Sequence, residues 1–111
     1  MTLKIEDTAR YMRLLVFFDL PVKTKKERFY ASRFRRDLKN AGFSMLQFSV
    51  YCRVCKGIES TNFYTSFLAK IVPPRGSVRV LTITDTQYAR MKILLGKPKL
   101  QEQTYTQLLL F

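Results

Sequence analysis

The chain of 111 residues has the size of one ordinary domain and is long enough to bury a single hydrophobic core. Hydrophobic residues make up 47% of it and aromatic residues 14%, which excludes a disordered chain. Its 20 Lys and Arg against 8 Asp and Glu give a formal charge of +12. That excess favours a polyanionic partner, and nucleic acid fits better than an acidic membrane surface.

No membrane segment is predicted, because the longest apolar run, Leu14 to Phe18, is far below the ~20 residues that span a bilayer. The N-terminus carries acidic residues where a secretory signal peptide has its apolar stretch. We therefore expect a cytoplasmic protein without membrane contact. Cys52 and Cys55 lack a second Cys or His pair, so we expect half-buried thiols on opposite faces of a strand rather than a zinc or redox site.

The first half of the chain predicts a strand followed by a helix. The apolar run from Arg13 to Asp19 is typical of a strand, and the turn former Pro21 follows it. Thr24 and Glu27 form a capping box that opens the helix, and Gly42 ends it.

The second half predicts the remaining elements of one small domain. Phe43 to Val54 is strand-like, as one long bent strand or as two short ones. Ser60 to about Ile71 predicts a helix whose apolar residues are Phe63, Phe67, Leu68 and Ile71. Val78 to Thr84 predicts a strand rich in β-branched residues, and Thr86 to Met91 one helical turn. Two further short strands are predicted at Lys92 to Leu95 and at Thr104 to Phe111.

The order β-α-β-β-α-β predicts an α+β fold of the ferredoxin-like type, an antiparallel sheet with both helices on one face. The strands do not alternate, and Leu14 to Phe18 is apolar on both faces. An antiparallel sheet that is apolar on both faces needs a cover on its second face. We therefore expect a C2 homodimer packed sheet to sheet; the alternative is a sheet curled over its own C-terminal strands. The terminal run Leu108 to Phe111 is expected to add to a sheet of the second subunit or of another protein.

The first predicted helix has an apolar stripe opposite an almost purely basic face. The stripe contains Tyr30, Ala31, Phe34, Leu38 and Ala41. The opposite side contains Lys25, Arg28, Arg35, Arg36 and Lys39, with Lys26 and Arg33 on its shoulder and Lys23 just before the helix. A solvated helix face normally mixes signs, whereas these like charges repel one another unless phosphates neutralise them. We therefore predict phosphate binding, and no sequence preference because no base-reading motif is present.

Phe29 projects among these cations, where it could stack on a base or sugar, contact a partner protein or form a local cation–π pair. Asp19, at the end of the first strand, also has two interpretations. Its carboxylate could accept backbone N–H groups in the turn before Pro21. Alternatively, two copies of Asp19 could converge on a dimer axis and hold a Mg²⁺ that activates water. Asp85 is the only other candidate carboxylate, and its position after Thr84 indicates a helix cap.

Five segments of the chain stand out together: the first strand ending in Asp19-Leu20-Pro21, the helix with Arg33-Phe34-Arg35-Arg36, Gly42-Phe43, Gln47-Phe48-Ser49-Val50-Tyr51 and the strand 78–84. In this order and spacing they resemble the Cas-two family of CRISPR-associated proteins. The resemblance covers Met12 to Gly96. Gln47 to Tyr51 and Gln87-Tyr88-Ala89-Arg90-Met91 look most like members from type II systems. Residues 1–11 are then an N-terminal extension, residues 12–96 the ferredoxin-like domain and residues 97–111 a C-terminal strand segment for dimer or partner docking.

The resemblance implies a dimer that bridges two dimers of the CRISPR integrase, the Cas-one protein, and holds a short DNA duplex destined to become a new spacer. Lys23, Lys25, Lys26 and Arg28 match the region that contacts the DNA backbone, and the C-terminal strand matches the part that docks on the integrase. The family also includes members reported as metal-dependent nucleases on RNA or DNA, with the first-strand Asp, here Asp19, as ligand. Ser49 follows the family pattern too; its hydroxyl could assist a metal-bound water or satisfy local backbone.

Three functions are consistent with these residues. A DNA-bridging scaffold is favoured, because neither His nor a second nearby carboxylate is evident as a general base. A nuclease with paired Asp19 residues is the alternative, so catalysis stays open. A generic RNA-binding ferredoxin-like module is less well supported, since that class displays aromatic residues on an exposed sheet. Here Tyr51 and Phe48 are expected in the core or in the dimer interface.

Overall fold

The structure is a computed structural model that describes residues 11–96 of the chain. Its elements are β1 (Tyr11–Asp19), α1 (Lys25–Asn40), β2 (Ser44–Gln47), β3 (Val50–Lys56), α2 (Gly57–Ile71), β4 (Ser77–Thr84) and α3 (Asp85–Ala89). None of the helices among these residues is long and apolar enough to cross a bilayer. The expected extension (apart from Tyr11), the C-terminal segment 97–111 and the run Leu108 to Phe111 lie outside the described residues.

The four strands form one antiparallel sheet in the order β2-β3-β1-β4. β1 is central, and Leu15 pairs with Cys52 of β3 on one side and with Leu81 of β4 on the other. The predicted ferredoxin-like α+β fold is thus confirmed. The order of strands also separates two ends of the sheet: Asp19 pairs with Ser77, at the opposite end of β1 from α3.

The core lies between the sheet and the two long helices. Leu14, Val16 and Phe18 point from β1 toward the helices and are at most 5% exposed. Phe34 of α1 packs against them, with its ring 5.1 Å from that of Phe18 in an edge-to-face arrangement. Leu68 of α2 joins the same cluster. Successive side chains of a strand point to opposite faces of the sheet. Every second residue of β1 therefore lies in the core, and the others lie on the opposite face, called here the second face.

The second face of the sheet is apolar, as the sequence predicted. Phe17, Val54 and Leu81 point to this face and are 36%, 43% and 50% exposed. Leu15 and Cys52 also lie there but are buried. Both thiols are free and are buried rather than half-buried, since Cys55 lies in the core on the other face. The homodimer that would cover this face stays a prediction.

The segment Phe43 to Val54 divides into the two short strands that were one of its two predicted forms. Ser49 has φ = 63° in the tight turn between β2 and β3, which is the left-handed region. Tyr51 is buried in the core as expected. Phe48 is 87% exposed in the single chain and therefore is not a core residue.

Three predictions in the second half were wrong. α2 begins at Gly57 rather than Ser60, and its N-cap residue Lys56 makes no capping hydrogen bond that could have marked the start. Phe63 was placed on the apolar stripe but is 65% exposed. It lies about 140° around the helix from Leu68, outside the arc that meets the sheet. The predicted strand at Lys92 to Leu95 is not formed in the single chain.

Candidate nucleic-acid interface

The start of α1 fixes the direction in which its basic side chains project. Thr24 Oγ1 accepts a hydrogen bond from the Glu27 backbone N–H at 3.1 Å. Glu27 Oε1 accepts the backbone N–H groups of Thr24 at 2.9 Å and of Lys23 at 3.0 Å. These bonds hold the pKa of Glu27 below its ordinary value, and the hydrogen bond from the Thr24 backbone N–H is the largest cause. The predicted capping box is confirmed, and Gly42 ends the helix with φ = 89°.

The basic face of α1 comprises eight side chains, all predicted from the sequence. Seven of them are exposed: Lys23, Lys25, Lys26, Arg28, Arg33, Arg36 and Lys39. Arg35 is the exception, because it is half-buried and its guanidinium lies 5.8 Å from the centre of the Phe18 ring. Arg35 therefore lies at the boundary with the core, not at the centre of the exposed face, and its contact with a phosphate stays a prediction.

The charge of this face is not neutralised within residues 11–96, where none of the eight cations forms an ion pair with a carboxylate. The second oxygen of Glu27 is 3.8 Å from Arg75, in the loop before β4, so Glu27 interacts with a cation outside the face. Arg28 donates from Nη1 to the carbonyls of Val22 at 3.2 Å and Lys23 at 3.0 Å. Arg28 is therefore still a cation without a carboxylate partner in this region, but its guanidinium is held against the backbone just before the helix and extends less far into solvent.

Phe29 lies within the basic face and is 59% exposed. Its ring meets that of Tyr30 edge to face at 5.7 Å. The cation–π contact in this region is made by Lys26 over Tyr30, at 6.0 Å from Nζ to the ring centre. Most of the Phe29 ring is consequently available to a partner, whether a base, a sugar or a protein.

Asp19 lies at the end of β1 between two loops. On one side the Phe18 N–H donates to the Ser49 carbonyl at 2.9 Å, so the Ser49 backbone pairs with the residue before Asp19. On the other side Gly76 has φ = 99°, and a Cβ there would come within 2.6 Å of the Asp19 carbonyl oxygen. The Asp19 side chain is exposed and accepts no hydrogen bond from residues 11–96, so the expected turn contacts ahead of Pro21 are not formed.

A single chain does not supply a complete metal site in the part that the structure describes. No group of three or more His, Cys, Asp or Glu side chains able to hold a metal ion occurs there. Asp85 cannot complete a set with Asp19, because α3 lies at the other end of β1. Nor is Asp85 the helix cap that its position indicated: Thr84 is the N-cap of α3, and Asp85 pairs with Arg13 at 2.8 Å instead. Sequence reasoning missed that pair because 72 residues separate its members.

Known proteins resemble this chain over most of its length. A family model described as CRISPR associated protein Cas2 matches residues 12–91. A relative named CRISPR-associated endoribonuclease Cas2, from Campylobacter jejuni subsp. jejuni serotype O:2, is 50% identical over 92 residues, or 83% of this chain and 63% of the relative. The chain therefore spans slightly less than two thirds of that protein.

Two further relatives carry the same name. The protein of Acidovorax ebreus is 49% identical over 92 residues, which cover 83% of this chain and 90% of the relative. That of Lacticaseibacillus rhamnosus is 46% identical over 88 residues, which cover 79% of this chain and 87% of the relative. The matched range includes all of the sheet except Tyr11 and the whole of α1, so the residues of the candidate interface fall inside it.

Proposed function

The chain belongs to the CRISPR associated protein Cas2 family, and on that premise we propose that it is a subunit of CRISPR adaptation, the acquisition of new spacers. It acts in the cytoplasm as a homodimeric scaffold that bridges dimers of the integrase, the Cas-one protein. It binds prespacer double-stranded DNA through the DNA backbone. We also propose that it is a member from type II systems, because the segments Gln47 to Tyr51 and Gln87 to Met91 look most like those members.

The observation that carries this proposal is the uncompensated basic face of α1. Seven exposed cations lie on this face or just before it without an ion pair to any carboxylate of residues 11–96. Their mutual repulsion destabilises the free protein, and a row of phosphates removes that repulsion while releasing condensed counterions. These flexible side chains lie on the outer surface of α1. They can therefore contact the phosphates of a DNA backbone, which is recognised by its charge and shape, without contacting the edges of the bases.

The homodimer is supported by the second face of the sheet. Phe17, Val54 and Leu81 leave this face apolar and partly exposed, and the matching surface of a second copy covers such a patch by two-fold symmetry. In such a dimer the two α1 helices lie on the outer sides of the assembly. The dimer then presents two basic faces, one on each outer side.

The test is equilibrium binding of a fluorescent DNA duplex over a series of salt concentrations. Arg36→Ala combined with Lys39→Ala removes two exposed cations from α1. If both contact phosphates, the slope of log Kobs against log salt falls by about 1.8, which is two contacts at about 0.9 each. The loss is expected to be equal for duplexes of unrelated sequence. The matched control, Lys56→Ala with Arg90→Ala, removes the same charge outside α1 and is expected to change the slope less.

A different result would redirect the proposal. An unchanged salt slope in the α1 variant would mean that this face does not contact the phosphates. A loss restricted to particular sequences would mean that the protein reads bases. An equal effect of both double variants would mean that only the net charge matters.

The second candidate function is a metal-dependent endonuclease acting on RNA or DNA. It is favoured by the exposed carboxylate of Asp19 at the end of β1, and the relatives above are named endoribonucleases. Two copies of Asp19 across the dimer axis would hold the Mg²⁺, which would supply an activated water. The test is cleavage of single-stranded RNA and of duplex DNA with Mg²⁺ or with EDTA, comparing wild type with Asp19→Asn. Cleavage that requires both Mg²⁺ and Asp19 supports this function, and cleavage by Asp19→Asn at the wild-type rate contradicts it.

A further inference from the structure

Phe29 places a large aromatic ring within the basic face of α1. It is 59% exposed, and its ring centre lies 5.7 Å from that of Tyr30 at an interplanar angle of 68°. This edge-to-face contact restricts the ring without covering it. The free protein therefore leaves an apolar surface in water, which is unfavourable unless a partner covers it.

Cations surround this ring on the surface of the helix. Residues three and four positions apart are neighbours on a helix, and residues seven apart lie about two turns away on the same face. At these distances from Phe29, the exposed residues of α1 are Lys25, Lys26, Ser32, Arg33 and Arg36. The four cations among them form no ion pair with a carboxylate of residues 11–96. Phe29 is also the only large apolar side chain of α1 that is exposed.

The chemistry of this surface distinguishes three partners of the ring. A local cation–π pair of Phe29 is not formed within the described residues, where Lys26 lies over the ring of Tyr30 instead. A protein partner would meet one apolar ring among uncompensated cations, whereas the centre of a protein interface is depleted of charge. A nucleotide carries a flat aromatic base beside a phosphate, so it matches an aromatic ring beside cations.

The geometry favours an unpaired nucleotide over a paired one. In a duplex the faces of the bases are stacked on one another, and a protein reaches the phosphates and the base edges. Lys25 and Arg33 lie about one turn before and after Phe29, each about 6 Å from it along the helix axis. A base that stacks on Phe29 would therefore bring its two flanking phosphates toward these two cations.

We propose that Phe29 is a stacking residue for an unpaired nucleotide of a DNA or RNA strand, with Lys25 and Arg33 binding the adjacent phosphates. The inference goes beyond the proposed function, in which α1 contacts the backbone of a duplex, and rests on it only in that α1 binds phosphates. Stacking is tolerant of sequence because every base has an aromatic face. α1 therefore distinguishes a nucleic acid that has single-stranded nucleotides from a blunt duplex, without reading base edges.

The test is equilibrium binding of four fluorescent probes: a blunt DNA duplex, the same duplex with a single-stranded overhang, a DNA strand and an RNA strand. A second measurement follows 2-aminopurine in the unpaired segment, because stacking quenches its fluorescence. Phe29→Ala removes the ring, Phe29→Leu keeps an apolar side chain, and Phe29→Tyr keeps an aromatic one. Phe63→Ala is the matched control, since Phe63 is 65% exposed and meets Tyr64 edge to face at 5.1 Å. One turn before Phe63 lies Glu59 rather than a cation.

We expect Phe29→Ala to weaken binding of the overhang probe and of both single strands about tenfold and to abolish the quenching, because one stacked base is lost. Its binding of the blunt duplex and its thermal midpoint stay near those of wild type, since the ring is exposed in the free protein. Phe29→Leu behaves like Phe29→Ala, Phe29→Tyr binds like wild type, and Phe63→Ala changes little. Equal losses on DNA and RNA strands are expected because stacking does not involve the 2′-OH; a loss on one kind of strand alone would support stacking and identify the source of the nucleotide.

Three results would overturn the inference. One is a wild-type protein that binds the blunt and overhang probes equally and does not quench 2-aminopurine, which leaves the proposed duplex binding intact. Another is wild-type affinity and quenching in Phe29→Leu, which would make the side chain an apolar contact rather than a stacking surface. A wild-type protein that binds none of the four probes would contradict both this inference and the proposed function.

Discussion

Arg53 connects three elements of the fold, and its replacement gives a quantitative test of how α1 is held in place. Arg53 Nε donates to the Ala41 carbonyl at the end of α1 at 2.9 Å. Its Nη1 donates to the Val54 carbonyl and its Nη2 to the Tyr64 hydroxyl of α2, each at 2.6 Å. The guanidinium carbon also lies 3.9 Å from the centre of the Tyr64 ring. No carboxylate takes part, so the interaction depends on the planar shape of the guanidinium.

The expected cost of Arg53→Lys follows from these contacts. A lysine keeps the positive charge, which favours the C-terminal end of α1. Its single ammonium cannot reach three acceptors in different directions, so two hydrogen bonds are lost. At about 1 kcal/mol each, the free energy of unfolding falls by about 2 kcal/mol. Arg53→Met loses the third bond and also the cation–π contact, worth about 1 kcal/mol, and costs about 4 kcal/mol.

The assay is urea unfolding followed by circular dichroism, at a fixed protein concentration so that any dimer contributes equally. Arg33→Lys is the matched control, because Arg33 is an exposed arginine of α1; its change is expected to stay within ~0.5 kcal/mol. If Arg53→Lys unfolds within ~0.5 kcal/mol of wild type, the guanidinium geometry does not stabilise the fold and the reasoning is refuted.

Three other predictions follow from single residues. Gly76→Ala is expected to lower the free energy of unfolding by more than about 1 kcal/mol, because φ is 99° and the new Cβ would meet the Asp19 carbonyl oxygen at 2.6 Å; an unchanged urea midpoint would contradict this. The lowered pKa of Glu27 stabilises the folded state above the ordinary value of 4.5, and that stability is lost as the pH falls through the lower folded-state pKa. Glu27→Gln is therefore expected to be less stable than wild type at pH 7 and to lose less between pH 5 and pH 2 in urea unfolding; parallel pH profiles would rule this out. Burial is the main cause that raises the pKa of the Cys52 thiol, so in a Cys55→Ser background iodoacetamide at pH 8 is expected to alkylate the folded chain far more slowly than the urea-unfolded one, and equal rates would show an accessible thiolate.

The elements with strong local patterns could be predicted from the sequence. The capping box of Thr24 and Glu27 and the stop at Gly42 placed α1 within a residue at each end. The continuous apolar run of β1 predicted a sheet that is apolar on both faces, and Phe17 and Leu81 confirm it. In each case the cause lies within one turn or one strand, so the local sequence contains it.

The failures arise where the controlling contact is distant along the chain. Arg35 was expected on the exposed basic face, but the ring of Phe18, on another element, draws it to the edge of the core. Asp85 was expected to cap α3, but Arg13 on β1 takes its carboxylate and Thr84 caps the helix. Phe63 satisfied helical spacing for an apolar stripe, yet the sheet meets α2 along another line. Periodicity gives the position of a side chain on an element but not the position of the neighbouring element.

The most direct test of the scaffold function is integration of a short duplex into a repeat-containing plasmid by the cognate integrase. It compares wild type, Asp19→Ala and the α1 variant that combines Arg36→Ala with Lys39→Ala. We predict that Asp19→Ala supports integration like wild type, because the carboxylate is exposed and bonds to no other residue of the described chain. The α1 variant is predicted to lose integration as salt rises. Loss of integration by Asp19→Ala, in a protein that still dimerises and binds DNA, would contradict the scaffold and make the nuclease the better account.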